Sequence, residues 1–161
     1  MWRRSLLLCG LTALTFGCGM VDRLVHRSGH LRLDRVGQGP RLVLDVPVEA
    51  LLCEADTTLS IVGSDGSWSA AIALRTAWPA TAHEFAIDSI VRGLGSAALS
   101  ARPLGDSVGD ALTALRGSLR LTGGARVAGS VDLVAASPRD TVRLVGSFDV
   151  PAVATGGCPA P

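Results

Sequence analysis

Residues 115–153 read LRGSLRLTGGARVAGSVDLVAASPRDTVRLVGSFDVPAV, and one phrase recurs in them three times. RGSLRL starts at Arg116, AGSVDL at Ala128 and VGSFDV at Val145: Gly-Ser, an apolar residue, a charged residue, an apolar residue. Leu119 and Leu121 share one parity, as do Val127, Gly129, Val131 and Leu133, and then Val142, Leu144, Gly146, Phe148 and Val150. Serine, arginine and aspartate fill the opposite parity. Period-two alternation rich in β-branched residues predicts half-buried antiparallel strands. Gly123-Gly124 and Ser137-Pro138-Arg139-Asp140 supply the two turns of a three-stranded meander. Pairing by parity sets Gly129 opposite Phe148 and Val131 opposite Gly146. A glycine inside a strand gives room to a large neighbour or lets the sheet curl. Nothing reactive accompanies these glycines, so a ligand groove is the weaker reading.

The same grammar extends to the rest of the chain. Residues 31–36 and 41–48 alternate about Gly37-Gln38-Gly39-Pro40, and residues 58–62 and 67–76 alternate about Ser64-Asp65-Gly66. Residues 79–94 fit both a helix cap, through Thr81-Ala82-His83-Glu84, and a strand, through Phe85, Ile87, Ser89 and Val91. All-β surroundings favour the strand. Residues 95–101 form another, while Val108, Ala111, Leu112 and Leu115 have helical spacing and predict one short helix over 107–115. The phrases Leu44-Asp45-Val46-Pro47 and Phe148-Asp149-Val150-Pro151 each mark a strand end, because proline cannot donate to a ladder. The expected fold is all-β: an antiparallel sandwich or a strongly curled, partly closed barrel of about eight strands.

At 161 residues the chain is long enough for one domain with a sizeable core. Every one of its 15 basic residues is arginine, and it has no lysine, asparagine or tyrosine. This is the compositional bias of a GC-rich bacterium rather than a functional signal. The net charge of +1 with no basic block, and 4% aromatic content, argue against nucleic acid as a partner.

Arg3 and Arg4 precede a short apolar run from Ser5 to Phe16, too short to span a bilayer. Leu14-Thr15-Phe16-Gly17-Cys18 follows and resembles the lipobox of bacterial lipoproteins, in which a small residue precedes a cysteine that receives diacylglycerol. The resemblance implies a signal peptide over residues 1–17, lipid on Cys18, a tether over 18–30 and a single β domain over 31–161. It also implies a bacterial cell-envelope location, at the outer membrane because Gly19 rather than aspartate follows Cys18. Cys9 leaves with the leader, so 4 − 2 = 2 cysteines, Cys53 and Cys158, remain for one disulfide in an oxidising compartment.

Chemistry is thinly represented. Neither a nucleophile elbow nor a phosphate-binding glycine loop is present. His83 with Glu84 or Asp88 and a serine is the best triad one could assemble, which leaves a hydrolase the minor alternative to a protein that is not an enzyme. His26 and His30 are four apart, but Ser28-Gly29 interrupts any helix between them, so a metal site is not expected. No cofactor is implied. The C-terminal run Thr141-Val142-Arg143-Leu144-Val145-Gly146-Ser147-Phe148-Asp149-Val150 and Asp65-Gly66-Ser67-Trp68-Ser69-Ala70 resemble segments of small β-rich bacterial lipoproteins of unassigned activity. Two function classes follow. One is a lipid-anchored envelope domain acting by contact with another envelope protein or by structural placement. The other is a lipocalin-like carrier with an apolar ligand against Trp68, Ile72 and Phe148.

Overall fold

The computed structural model describes residues 29–155, apart from 56, 78, 81–82, 105–110, 123–125 and 152. In chain order its strands are β1 (Gly29–Val36), β2 (Val43–Cys53), β3 (Thr58–Ser64), β4 (Trp68–Arg75), β5 (His83–Asp88), β6 (Ser96–Pro103), β7 (Leu112–Thr122), β8 (Val127–Ala136), β9 (Thr141–Val150) and β10 (Val153–Thr155). Neighbours run β1-β9-β8-β7-β5-β6-β4-β3-β2, and β2 pairs back onto β1. The wall therefore closes into a nine-stranded barrel rather than a sandwich. β10 is a tenth strand, parallel to β2 along Ala50–Leu52.

Two departures from simple meandering shape the wall. β6 and β7 pair directly through Ser100 and Ala101 with Thr113 and Leu112, then part to admit β5. β5 is antiparallel to β7 and parallel to β6, which makes it a wedge at one end of the barrel. At the seam, β1 covers β2 only up to the pair Gly29↔Val48; β10 then covers Ala50, Leu51 and Leu52. The barrel end at this seam carries Gly29, Cys53, Arg75, His83, Gly95, Thr122 and Val150. We call it the tether end, because the chain enters the barrel there.

The triple phrase explains how a small barrel is filled. Along the hydrogen-bonding direction, Leu121, Gly129, Phe148, Leu31 and Val46 form one row of inward positions. Phe85, Leu119, Val131, Gly146, Leu33 and Leu44 form the next. Ile87, Gly117, Leu133 and Leu144 begin a third. Each row holds one glycine. A Cβ on Gly129 would meet Phe148 Cζ at 2.6 Å and the Arg120 carbonyl; one on Gly146 would meet Leu33 Cδ2 at 2.8 Å and the Arg32 carbonyl. One on Gly117 would lie 2.6 Å from Leu133 Cβ. The register expected for Gly129, Phe148, Val131 and Gly146 is the one observed. Outside, the charged residue of each phrase is ion-paired: Arg120 with Glu84 at 3.3 Å, Asp132 with Arg143 at 2.7 Å, Asp149 with Arg126 at 2.8 Å.

Three sequence expectations are corrected. The helix over 107–115 does not form where the structure describes it. Leu112 and Ala114 are buried positions of β7, and residues 107–110 lie outside the described residues. A bulge between Ala114 and Arg116 sets Leu115 and Arg116 together opposite Val134, turning both outward. Leu115 is therefore an exposed apolar residue, and its helix-like spacing from Leu112 does not belong to the buried face. Pro47 does not end a strand either; it pairs with His30 in the middle of β2. Its carbonyl faces Gly63, so its missing N–H also points toward β3, whose pairing with β2 begins only at Val48. Pro151 does follow the last residue of β9. Finally, β1 starts at Gly29, so Gly29 and His30 belong to the barrel rather than to a tether ending at 30.

Filling each row around a glycine makes those positions intolerant of side chains. Gly129→Val is expected to cost at least about 1–3 kcal/mol through overpacking, read as a lowered denaturant midpoint. Adding Phe148→Leu should recover part of that loss and no more, because the Arg120 carbonyl still crowds the new side chain.

Candidate functional site

Alternation delivers the residues singled out for a ligand cavity to the core instead. Ile72 lies on β4 and Phe148 on β9, on opposite sides of the wall, with 0% and 2% of their surface exposed. Trp68, at the start of β4, is partly buried and packs on the same core cluster. Leu31, Leu33, Leu59, Ile61, Leu74, Phe85, Leu119, Leu121 and Leu133 fill the space between. Of the reserve triad, His83 lies over Phe85 in an edge-to-face contact, ring centroids 6.1 Å apart at 84°. Glu84 faces Arg120, and Asp88 accepts from the Ser89 N–H and faces Arg92. Asp88, at the far end of β5, does not join His83 and Glu84. His30 is exposed on β1, 3.6 Å from Asp45, and His26 lies outside the described residues. Among the described residues no group of three His, Cys, Asp or Glu side chains could hold a metal ion. Cys53 closes β2 and is buried; Cys18 and Cys158 lie outside the described residues.

Recesses lined by described residues include two on the surface, neither of which is lined by Trp68, Ile72 or Phe148. One, of about 330 Å³, lies over the outer face of β4, β6 and β7, among Ser69, Ala71, Ser100, Arg102 and Thr113. The other, of about 360 Å³, opens at the tether end where β5 wedges into the wall. Its lining comes from the end of β4 (Arg75, Thr76, Ala77), the start of β5 (His83, Glu84, Phe85) and the loop before β6 (Leu94, Gly95). It joins a guanidinium, an imidazole and a carboxylate to an apolar floor. Sequence reasoning left this recess unseen. Its signal, His83 and Phe85 two apart on one strand face, was obscured by the competing cap pattern of residues 81–84.

The carboxylates that shift do so in the structural direction. Arg143 donates to Asp132 through Nε at 3.0 Å and Nη2 at 2.7 Å, and this pairing lowers the Asp132 pKa. Arg32 does the same for Asp34. Asp65 Oδ1 accepts from the Trp68 and Ser67 amides at 2.6 and 2.7 Å, which lowers its pKa and ties the β3–β4 turn. A general acid needs the opposite shift. The comparisons with known proteins add no site: the chain matches no protein-family model, no curated protein and no solved structure.

A carboxylate whose folded pKa is depressed stabilises the fold above its unfolded pKa of about 3.9, and the contribution is lost as pH falls through the lower folded value. Asp65→Asn should therefore lower the Tm near neutral pH. The gap to the unsubstituted protein should narrow as pH falls below about 3.9 and through the lower folded value, where the aspartate too becomes uncharged. A gap independent of pH, measured by thermal unfolding across this range, would contradict the charged-turn account.

Proposed function

We propose that the chain is a lipid-anchored domain of the bacterial cell envelope, held by diacylglycerol on Cys18 and acting through contact with another envelope protein or through structural placement. The observation that carries this reading over a lipocalin-like carrier is the filled interior. A carrier keeps open space inside its barrel. Here the inward rows hold leucine, isoleucine and phenylalanine, with glycine only where a neighbour fills the space. The outer wall supports attachment by lipid rather than by the strands. Arg32, Asp34, Arg120, Asp132, Arg143 and Asp149 point outward, and arginine on a lipid-facing strand costs about 2–4 kcal/mol at the bilayer midplane.

The test is fractionation in the native host. The unsubstituted protein should sediment with outer membranes, and Cys18→Ser should appear in the soluble fraction. Multiple acyl chains on one cysteine suffice for stable anchoring, so a clear separation is expected. Equal partition of the two would defeat the reading.

The same compartment argument pairs Cys53 with Cys158. Support comes from β10, whose pairing Thr155↔Leu52 brings the chain beside β2 one residue from Cys53. The second cysteine follows Thr155 by only 158 − 155 = 3 positions. Cys53 is buried at the end of β2. Closing a loop of 158 − 53 = 105 residues would stabilise by about 2–4 kcal/mol. Mass spectrometry of non-reduced peptides should recover a Cys53–Cys158 crosslink, and reduction should lower the Tm; free thiols at both positions would refute the pairing.

A further inference from the structure

The two most exposed large apolar residues described stand on one loop, between β5 and β6. Leu94 is 75% exposed and Ile90 57%, against 36–42% for Val36, Leu51, Val62 and Leu104 and 47% for Leu115. The loop is tied down rather than loose. Ser96 Oγ accepts from the Arg92 and Gly93 amides, both at 3.0 Å, and donates to the Gly93 carbonyl at 2.6 Å. The Gly95 N–H donates to the Arg75 carbonyl at 3.0 Å, which fixes the loop to the last residue of β4. Leu94 is thus held in water by polar bonds that do nothing to cover it.

Its place in the fold says what could cover it. Arg75 closes β4 at the tether end, the same end at which the chain enters β1 at Gly29. Cys18 precedes Gly29 by 29 − 18 = 11 residues, which can span at most about 40 Å. An anchor on Cys18 therefore keeps this end of the barrel near the bilayer. The charges around the loop suit an interfacial depth. Arg92, with 69% of its side chain exposed, faces Asp88 at 3.3 Å, and Arg75 and His83 line the recess beside Leu94. Apolar side chains flanked by arginine are the composition of segments that rest at the headgroup boundary.

We propose that the tether end of the barrel sits on a phospholipid surface and that the β5–β6 loop inserts Ile90 and Leu94 at headgroup depth, as a second attachment beside the lipid. The orientation rests on the anchoring of Cys18; the loop contact itself can be measured without it.

The experiment uses a chain beginning at Gly19, which has no lipid site and no leader and retains every strand of the barrel. Leu94→Trp places a fluorophore on the loop, and Ser137→Trp places one in the β8–β9 turn at the opposite end. Each is mixed with vesicles of phosphatidylethanolamine and phosphatidylglycerol whose acyl chains are dibrominated, and the emission of the parent chain is subtracted. Leu94→Trp should be quenched at least about twofold while Ser137→Trp is unchanged, since only the loop reaches the brominated zone. Adding Ile90→Asp to Leu94→Trp should relieve the quenching. Both loop positions are exposed, so circular dichroism should report an unaltered barrel. Equal emission from the two probes, or quenching indifferent to Ile90→Asp, overturns the proposal. Failure of the Cys18 anchor is read separately, from fractionation of the full chain.

Discussion

The pairing of β1 with β2 is the constraint on which the rest of the structure depends. Without it the chain is an open curled sheet with two long edges, and such edges recruit other strands. Six residue pairs make the seam, from Asp34↔Val43 to Gly29↔Val48, and beyond that last pair β2 runs on past the start of β1. β9 lies beside β1 on its other flank, so its continuation past Pro151 brings β10 onto the stretch of β2 that β1 leaves bare. The crossing is tight: a Cβ on Gly29 would run into the Asp149 carbonyl and Val150 Cα, 2.6 Å away. The two ends of the chain thus complete one seam. The repeated apolar-Asp-Val-Pro phrase flanks β1 on both sides, with Leu31 facing Val46 on β2 and Phe148 on β9.

Closure sets the second constraint, on volume. A barrel of this size has an interior that side chains can fill but not overfill. Gly129 and Gly146 meet that limit by leaving space where Phe148 and Leu33 arrive. Closure also fixes which face each residue takes, since a slip of one position would turn arginine and aspartate inward. The phrase Gly-Ser-apolar-charged-apolar therefore holds two instructions: the glycine manages crowding inside, and the charge pairs with the adjacent strand outside. Exposed ion pairs such as Arg143–Asp132 are screened by water and stabilise little, so they select register more than they stabilise.

Legibility followed the physics of each segment. In β8 and β9 alternation is unbroken and the turn is Ser137-Pro138-Arg139-Asp140, so the register could be read to the residue. In β7 the buried residues Leu112 and Ala114 alternate, but the apolar Leu115 stands exposed at the bulge, and its spacing from Leu112 imitated a helix. Pro47 was misread because a proline is harmful only on the side where a ladder exists, and sequence does not say which side that is. The recess at the tether end was illegible for a different reason. It joins β4, β5 and a loop through a parallel pairing of β5 with β6, and such a non-local contact leaves no local pattern. Trp68, Ile72 and Phe148 were read onto the correct face, and the choice between core and ligand wall then turned on volume, which sequence does not supply.

The outer surface carries the last step. From β7 through β8, β9 and β1 to β2, the outward positions bear Arg120, Asp132, Asp149, Arg32 and Asp45, most of them in ion pairs. Across β3, β4 and β6 most outward positions are small and uncharged, Ser60, Val62, Ala71, Ala73, Ala98 and Ser100, with Arg75 and Arg102 only toward the strand ends. Neither half resembles the broad apolar band of a strand wall buried in lipid. The apolar residues most exposed to water lie in neither half but on the β5–β6 loop at one end. A water-facing wall with an apolar tip at the end where the chain enters has a built-in up and down. That polarity follows from where the strands begin and end, and it is the property a small domain needs if its function is to hold a fixed orientation at a surface.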